Sequence, residues 1–558
     1  MKKNEQMALM GFEKEIPIFR RSITVIDDLS LEERMFLYDY VNELKQEALK
    51  ANDLSKYVLI RKTPMDLKAN LVFLEDSTRT DQSFQNALMF HYIPYSDFDV
   101  TRSSFNKNET YYDTFKTLMG YGSSIFIVRS KLEGVCRWLD NSLSSYAKDF
   151  SAQTGQSMPK PVFINAGDGM HEHPTQELLD EYSFLEQLNF DNQEIHIALI
   201  GDLFHGRTVH SKANGLKIFG NIKVDLIAPP EIGMPKEYIE KMKCGGFEID
   251  EFESLNDYLS QKDKSLIAPI FYFTRLQKER MDEETQKKAG QFERQLSISE
   301  DNISMVPKNT KFYHPLPRDK NCVIIPRFLD KTPFNRYDEQ SQNGYFTRIA
   351  LLSMLLGNFD SQLFGKRKKE QNYIDDFVNE AVIKPKSSYK PEYKKAIRPI
   401  ENGIVIDHIA KGTEPSKIWE MITRIRKSLK LDLMGSQGVF RSTPMNGKDY
   451  YKGIISIPDY KISGAEDNFV KRLSAISPNC TLNLIEDSTI QKKYRLGMPQ
   501  SVFDFENTSC KNPNCISYLS HNEGVVSSFH RYDQDGEKKF VCDYCGHAHE
   551  YSDIFDAK

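Results

Sequence analysis

Several things are missing from this chain, and each absence excludes something. No apolar run is long enough to span a bilayer: Ile349–Leu356 and Leu266–Phe273 fall far short, and the second contains Pro269. The start, MKKNEQMALMGF, is basic but has no sustained apolar segment, so a cytosolic rather than a secreted protein is expected. No charge of one sign dominates. The formal net charge of -5 gives no support to a general nucleic-acid binder. Eight cysteines in 558 residues are too few for a disulfide framework. Four of them, Cys136, Cys244, Cys322 and Cys480, are scattered and read as buried or incidental thiols. What remains is an ordinary globular composition, 39% hydrophobic and 27% charged, on a chain too long for one core. Three or four domains are expected.

The stretch Leu71–Phe90, LVFLEDSTRTDQSFQNALMF, organises the rest. Leu71–Leu74 reads as a buried strand, and after Asp81 the apolar spacing becomes helical, with Phe84 and Leu88 on one side. A strand turning into a helix at Ser77-Thr78-Arg79-Thr80 brings free amides, hydroxyls and a guanidinium to one point, which suits a phosphate. The plainer reading is a Ser-Thr helix cap with Arg79 on the surface. Ahead of it, Ser30 and Glu33 form a capping box for an amphipathic helix. Beyond it, strands at Ser124–Val128, Pro161–Asn165, Ile195–Ile200, Lys223–Ala228 and Phe271–Thr274 alternate with helices. Such alternation indicates βαβ units and two parallel-sheet α/β domains. A lysine- and proline-rich stretch, 362–399, reads as a linker with a short helix at Tyr373–Val382. After it Gly403–Ile409, Tyr450–Pro458 and Thr481–Ile485 are strands, with helices at Glu414–Leu429 and Asp467–Ile476: a small α+β domain with an antiparallel sheet. Residues 432–449 fit no element.

Cys510-x4-Cys515 and Cys542-x2-Cys545 are a four-thiolate set. Four cysteines close a tetrahedral shell around Zn²⁺, so the ion is expected to be structural. His521, His547 and His549 are surplus to that shell. A nucleic-acid-reading zinc ribbon is disfavoured, because nearby lysines and Arg531 are offset by acidic residues.

The Ser-Thr-Arg-Thr block resembles the carbamoyl-phosphate signature of the transcarbamoylase family. HPTQ at His173–Gln176, GDLFHGRTVHS at Gly201–Ser211, TRLQKER at Thr274–Arg280 and HPLPR at His314–Arg318 resemble aspartate transcarbamoylase in the family's order. From about residue 400 the chain resembles the separate regulatory polypeptide of the bacterial enzyme. The resemblance implies a carbamoyl-phosphate domain at 1–175, completed by a terminal helix at 344–361, and an aspartate domain at 176–343. It further implies a ferredoxin-like nucleotide-binding domain at 400–500 and a β zinc domain at 501–558.

The resemblance also implies roles. Ser77, Thr78, Arg79 and Thr80 take the phosphate, Arg79 stabilising the leaving oxygen. Arg129, His173 and Thr80 point at the carbonyl oxygen, and Gln176 holds the carbamoyl amino group. Lys107, in the loop TRSSFNKNET, is donated by a neighbouring subunit. Arg207 and Arg275 take the acceptor's carboxylates, with Gln277 and the backbone of Leu316 beside its amine. A dicarboxylate acceptor, L-aspartate, follows, since ornithine's cation would be repelled by Arg275. Asp407, His408, Lys452, Asn483, Ile485 and Lys493 match the regulatory nucleotide site, for CTP or ATP. A homotrimer or dimer of trimers is expected. The chain departs from the family at Asp81 and Gln85, which replace an arginine and a glutamate, and at Ser488, where the family can carry tyrosine. An anion at Asp81 is expected to weaken phosphate binding. A transcarbamoylase for another amino acid and a non-catalytic nucleotide-sensing or scaffold homologue are the alternative readings.

Overall fold

Three apolar runs and a short exposed edge segment in the first third form parallel strands: β1 (Ala69–Phe73), β2 (Tyr95–Asp97, the edge), β3 (Ile125–Ser130) and β4 (Val162–Asp168), in the order β2-β1-β3-β4. The computed structural model describes residues 18–59, 67–98, 108–261, 263–321, 323–357, 378–383, 397–431, 435–442, 449–462, 466–503, 508–534, 537–551 and 553–555. A second parallel sheet follows, β5 (Glu194–Ile200), β6 (Asn221–Ile227), β7 (Glu248–Phe252), β8 (Ile270–Phe273) and β9 (Lys311–Tyr313), in the order β7-β6-β5-β8-β9. β3 and β4 are buried throughout, as strands covered on both faces must be.

In both sheets the strand order reverses once. From β1 the chain goes outward to β2 and then crosses to β3. From β5 it runs outward through β6 and β7 and then crosses to β8. Open parallel sheets bind ligands beyond the carboxyl ends of the strands flanking such a reversal. Ser77–Thr80 follow β1, Arg129 ends β3, Arg207 follows β5 and Arg275 follows β8. The four blocks singled out by sequence therefore lie at the two reversals.

Helices Leu31–Leu49, Pro174–Gln187 and Tyr337–Leu356 join the two sheets into one core. The first has the expected capping box: Ser30 Oγ accepts from the Glu33 amide at 3.2 Å, and Glu33 Oε2 accepts from the Ser30 amide at 2.9 Å. The last is buried nearly all round, as its even apolarity dictates. It starts at Tyr337, seven residues before the 344 expected, with Asp338 and Glu339 in a first turn that favours acidic side chains. Residues 358–361 lie outside the described residues.

The chain divides into two compact units, Lys14–Lys369 with Asn514–Ile516, and Glu370–Pro513 with Ser517–Lys558. The second unit holds two antiparallel sheets. The first comprises β10 (Val378–Glu380), β11 (Gly403–Ile409), β12 (Ser436–Ser442), β13 (Tyr450–Pro458), β14 (Thr481–Glu486) and β15 (Thr489–Leu496), ordered β10-β15-β14-β11-β13-β12. Helices Pro415–Ser428 and Glu466–Ile476 contribute Ile418, Ile422, Ile425, Leu473 and Ile476 to its core. The other sheet is β16 (Ser501–Phe503), β17 (Ser528–Gln534), β18 (Glu537–Cys542) and β19 (Ala548–Glu550), paired in sequence order.

Two expectations fail here. Residues 378–380, read as the end of a linker helix, are an edge strand paired with 494–496 of β15, where the free backbone of an edge outweighs weak helical propensity. The unplaced region 432–449 contains β12, whose glycine and mixed polarity suit a half-exposed edge. Among the described residues no helix is long and apolar enough to cross a membrane.

Candidate functional site

Ser77 occupies the N-cap of helix Thr78–Phe90, yet its side chain makes no capping hydrogen bond. The hydroxyl and the first amides of the helix are thus uncommitted, and the helix dipole favours an anion there. Thr78 and Arg79 are exposed, and Arg79 has no hydrogen-bond or ion-pair partner among the described residues. Burial and then the charge of Arg318 hold its guanidinium below its usual range, so a second cation of the HPLPR segment faces the same space. Thr80 is buried, with Oγ1 3.4 Å from His173 Nε2.

His173 sits at the N-cap of helix Pro174–Gln187, with proline at the first helical position. Burial pushes its imidazolium form well down, and Arg207, Arg129 and Arg348 push further. The ring is therefore neutral, held so by burial and three guanidiniums. A neutral imidazole can still donate one hydrogen bond to a developing oxyanion.

Arg129 and Arg207 meet beside the loop that follows β4. Arg129 donates to the Ala166 carbonyl at 3.1 Å and Arg207 to the Gly169 carbonyl at 3.0 Å. A Cβ on Gly167, at φ +113°, would stand 3.0 Å from both guanidinium groups, so glycine is needed for the close approach. Burial, then Arg207, pulls Arg129 down to about 9 against the restoring charge of Glu75. Its Nε is buried without a partner.

Glu75, two residues ahead of the block read as functional, gathers three arginines. Its carboxylate lies 2.9 Å from Arg129, 3.0 Å from Arg207 and 3.2 Å from Arg280. Because Arg207 and Arg280 follow strands of the second sheet, this carboxylate ties one half of the unit to the other. Arg280 was passed over as one more charge in TRLQKER. The signal available was a glutamate held at the end of an apolar strand.

The acceptor-side residues are also collected. Arg275 is half-buried and paired with Glu279, one helical turn on. The Gln277 amide N–H donates to Asp202 at 3.0 Å and its Nε2 to the His205 carbonyl at 2.8 Å. Asp202, in GDLFHGR, also accepts from the His205 amide at 3.0 Å and so joins the β5 and β8 loops. Leu316 has φ +52° and precedes a cis peptide to Pro317. Its amide donates to His314 Nδ1 at 2.7 Å. Burial, then Arg318, Arg275 and Arg79, hold His314 down to about 3. Gln176 donates to Asp180 at 2.9 Å. Lys107 lies outside the described residues.

Asp81 and Gln85 keep an i, i+4 contact as a hydrogen bond, Gln85 Nε2 to Asp81 Oδ1 at 3.2 Å. Burial and then Asp97 raise the Asp81 carboxyl above its ordinary range.

In the second unit Asn483 stands opposite Val405 on one side and Lys493 on the other, putting these side chains on one sheet face with Asp407 and Ile485. Lys452 pairs with Asp407 at 2.8 Å. Burial lowers His408, Asp407 opposes, and Lys452, Lys411 and Lys493 lower it further, so the lysines converge on this ring. Among the described residues, Asn483 Oδ1 is buried without a partner, an acceptor left open.

The sulfurs of Cys510, Cys515, Cys542 and Cys545 all lie within 4.8 Å of one another and are buried, and none is in a disulfide. Tetrahedral Zn–S bonds of about 2.3 Å place sulfurs about 3.8 Å apart, so four thiolates this closely gathered suit a zinc ion. His549, read as surplus, stands against it with Nε2 3.3 Å from Cys510 Sγ.

The catalytic half is thus a pair of parallel-sheet domains with a cationic, phosphate-ready cleft, the architecture of a carbamoyl-transfer enzyme. Residues 21–186 match the aspartate/ornithine carbamoyltransferase carbamoyl-P binding domain and 193–355 the Asp/Orn binding domain. Residues 395–497 match the allosteric domain of the aspartate carbamoyltransferase regulatory chain, and 504–555 its metal binding domain. Protein PyrBI of Thermotoga maritima is 48% identical over 96% of this chain and 98% of its own. Protein PyrBI of Treponema denticola is 46% identical over the same shares. Aspartate transcarbamoylase of Trypanosoma cruzi, solved with carbamoyl phosphate and aspartate, is 28% identical with a TM-score of 0.51, over 62% of this chain and 100% of that one. The chain belongs to the aspartate carbamoyltransferase family, with catalytic and regulatory parts fused on one polypeptide, and its four thiolates form a structural zinc site.

Proposed function

We propose how this aspartate carbamoyltransferase of pyrimidine biosynthesis divides its reaction among residues. Carbamoyl phosphate and L-aspartate give N-carbamoyl-L-aspartate and phosphate. The aspartate nitrogen bonds to the carbonyl carbon, the C–O bond to phosphate breaks with the leaving oxygen keeping the pair, and the proton lost by the amine passes to the departing phosphate. Ser77, Thr78, Arg79 and Thr80 hold the phosphate, Arg79 and a neighbouring subunit's Lys107 meeting the charge that grows on it. Thr80, Arg129 and the neutral His173 donate to the carbonyl oxygen as it becomes tetrahedral. Gln176 takes the carbamoyl amino group. Arg207 and Arg275 bind the two carboxylates of aspartate, and Gln277 and the Leu316 carbonyl steer its amine. The observation that carries this is the neutral, buried His173, 3.4 Å from Thr80 and in the field of Arg129 and Arg207, next to an uncapped helix start. An assay of acceptor-dependent phosphate release from carbamoyl phosphate tests it. Release with aspartate and none with ornithine is expected; a rate independent of the amino acid would refute it.

The same reading divides the chain at 1–175, 176–343, 362–399, 400–500 and 501–558, with the terminal helix returned to the first domain. The 400–500 domain is ferredoxin-like, in keeping with the order β14-β11-β13-β12 and two helices against that sheet. Asp407, His408, Lys452, Asn483, Ile485 and Lys493 receive CTP or ATP, the open Asn483 oxygen facing a base amino group. The chain works as a trimer or dimer of trimers in the cytosol, where four thiols stay reduced for zinc. Calorimetry with each nucleotide and sedimentation of the intact protein test these points.

A further inference from the structure

One turn beyond Gln176, the helix that opens on His173 carries a carboxylate that the reaction itself does not call for. Asp180 is wholly buried. Four donors converge on it. Gln176 Nε2 at 2.9 Å and Gln340 Nε2 at 2.7 Å meet Oδ1, while Lys212 Nζ at 2.8 Å and the Tyr272 hydroxyl at 2.7 Å meet Oδ2. They come from the same helix, the terminal helix, the turn after β5 and β8. Lys212, itself fully buried, also pairs with Glu177 at 2.5 Å. A buried charge surrounded this completely by donors is held in one place.

The arrangement has a directional consequence for Gln176. A side-chain amide gives hydrogen bonds at one end and accepts them at the other. A carboxylate met by four donors has only lone pairs to offer, so it takes the NH₂ end of Gln176. The carbonyl Oε1 is left, and it has no partner among the described residues. The amino group of a carbamoyl phosphate is a donor and needs that oxygen. Gln340 extends the control, because its Oε1 accepts the His314 amide at 2.8 Å and so ties the HPLPR loop to the same carboxylate.

We propose that Asp180 is a positioning residue that fixes which end of the Gln176 amide meets the substrate, making the site select a carbamoyl over an acyl phosphate that lacks the amino group. This rests on the role given to Gln176 above. Asp180→Asn is the diagnostic change. Lys212 and Tyr272 keep the asparagine oxygen on their side, so its NH₂ faces Gln176 and turns that amide round. Two donors then face each other across the substrate.

The experiment measures the competitive binding of carbamoyl phosphate, acetyl phosphate and inorganic phosphate to the intact enzyme. Acetyl phosphate carries a methyl group in place of the amino group. In Asp180→Asn the preference for carbamoyl over acetyl phosphate should fall about tenfold, since a buried donor is left unpaired. Inorganic phosphate should bind as before. Gln176→Ala should show the same loss, and Asp180→Asn added to it should cost no further preference. Equal weakening of all three ligands, or an undiminished effect in the Gln176→Ala background, would overturn the proposal and leave Asp180 as a fold-holding residue. A Gln176→Ala enzyme with its preference intact would instead sink the role of Gln176, and the proposal with it.

Discussion

Replacing Glu75 by glutamine tests how the catalytic cleft is held together. The carboxylate accepts from Arg129 and Arg207 on one oxygen and from Arg280 on the other, at 2.9, 3.0 and 3.2 Å. Glutamine keeps one acceptor and turns the other into a donor. At least one guanidinium then loses its partner and faces an N–H group, and three cations lose their common counter-charge. A hydrogen bond to a charged group is worth roughly 1.5–3 kcal/mol, so a net loss of about 2–4 kcal/mol is reasonable. The carboxylate is 22% exposed, and water re-entering would hold the loss toward the lower end. Expressed in kcat/KM for aspartate, that is roughly thirty- to several-hundred-fold. Initial rates at saturating carbamoyl phosphate measure it, with circular dichroism to establish that the variant is folded. The sign of the KM change is informative. If Glu75 only competed with substrate for the arginines, the variant would bind aspartate more tightly. A folded Glu75→Gln enzyme with a lower KM, or with rates within twofold of the parent, would refute the holding role.

Other outcomes follow from the same structure. Cys542→Ser should reduce zinc to near zero by metal analysis and loosen the 501–558 segment, because so small a domain cannot fold on apolar burial alone. His171 is buried, which alone would depress it, but Asp168, then Glu172 and Glu133, raise it to about 9. Its folded pKa lies above its unfolded value, so the pair's stabilisation is whole below about pH 6.5 and is lost as pH rises through about 9. Chemical denaturation across pH 6–10 should show this decline, and His171→Gln should flatten it. Lys493→Ala should weaken CTP or ATP binding about fivefold, less at high salt, with activity lacking nucleotide unchanged; calorimetry reads both. Mixing inactive Lys107→Ala with inactive Arg79→Ala subunits should restore part of the activity if the site is shared, and reassembled mixed oligomers without activity would contradict that.

The parts of the site legible in the sequence were those whose local pattern and function coincide. Ser77–Thr80 lie where an apolar run changes period, and a chain that turns there exposes amides whatever surrounds it. Arg207 and Arg275 stand just after strands, where a parallel sheet presents its ligands. The four cysteines have a spacing that few other roles require. What escaped were residues defined by distant partners. Val378–Glu380 has no strand signal of its own and acquires order only from the open edge of β15. The stretch 142–160 reads as a helix end running into a polar loop, yet the helix from Val135 continues to Thr154, with Leu143 and Ala147 buried.

Glu75 and Asp180 make the same point within the site. Neither touches substrate in the proposed reaction, and each looks like an ordinary acid beside a motif. Their importance comes from convergence, three guanidiniums on one and four donors on the other, drawn from segments up to 205 residues away. A cleft crowded with arginine for two anionic substrates would otherwise repel itself, and a glutamine able to turn either way would read its substrate ambiguously. Each carboxylate resolves one of these conflicts. In the proposed reaction the catalytic motifs supply the groups that meet substrate, and the acids outside them set where those groups stand and which way they face. A motif alone therefore says what a site binds before it says how well.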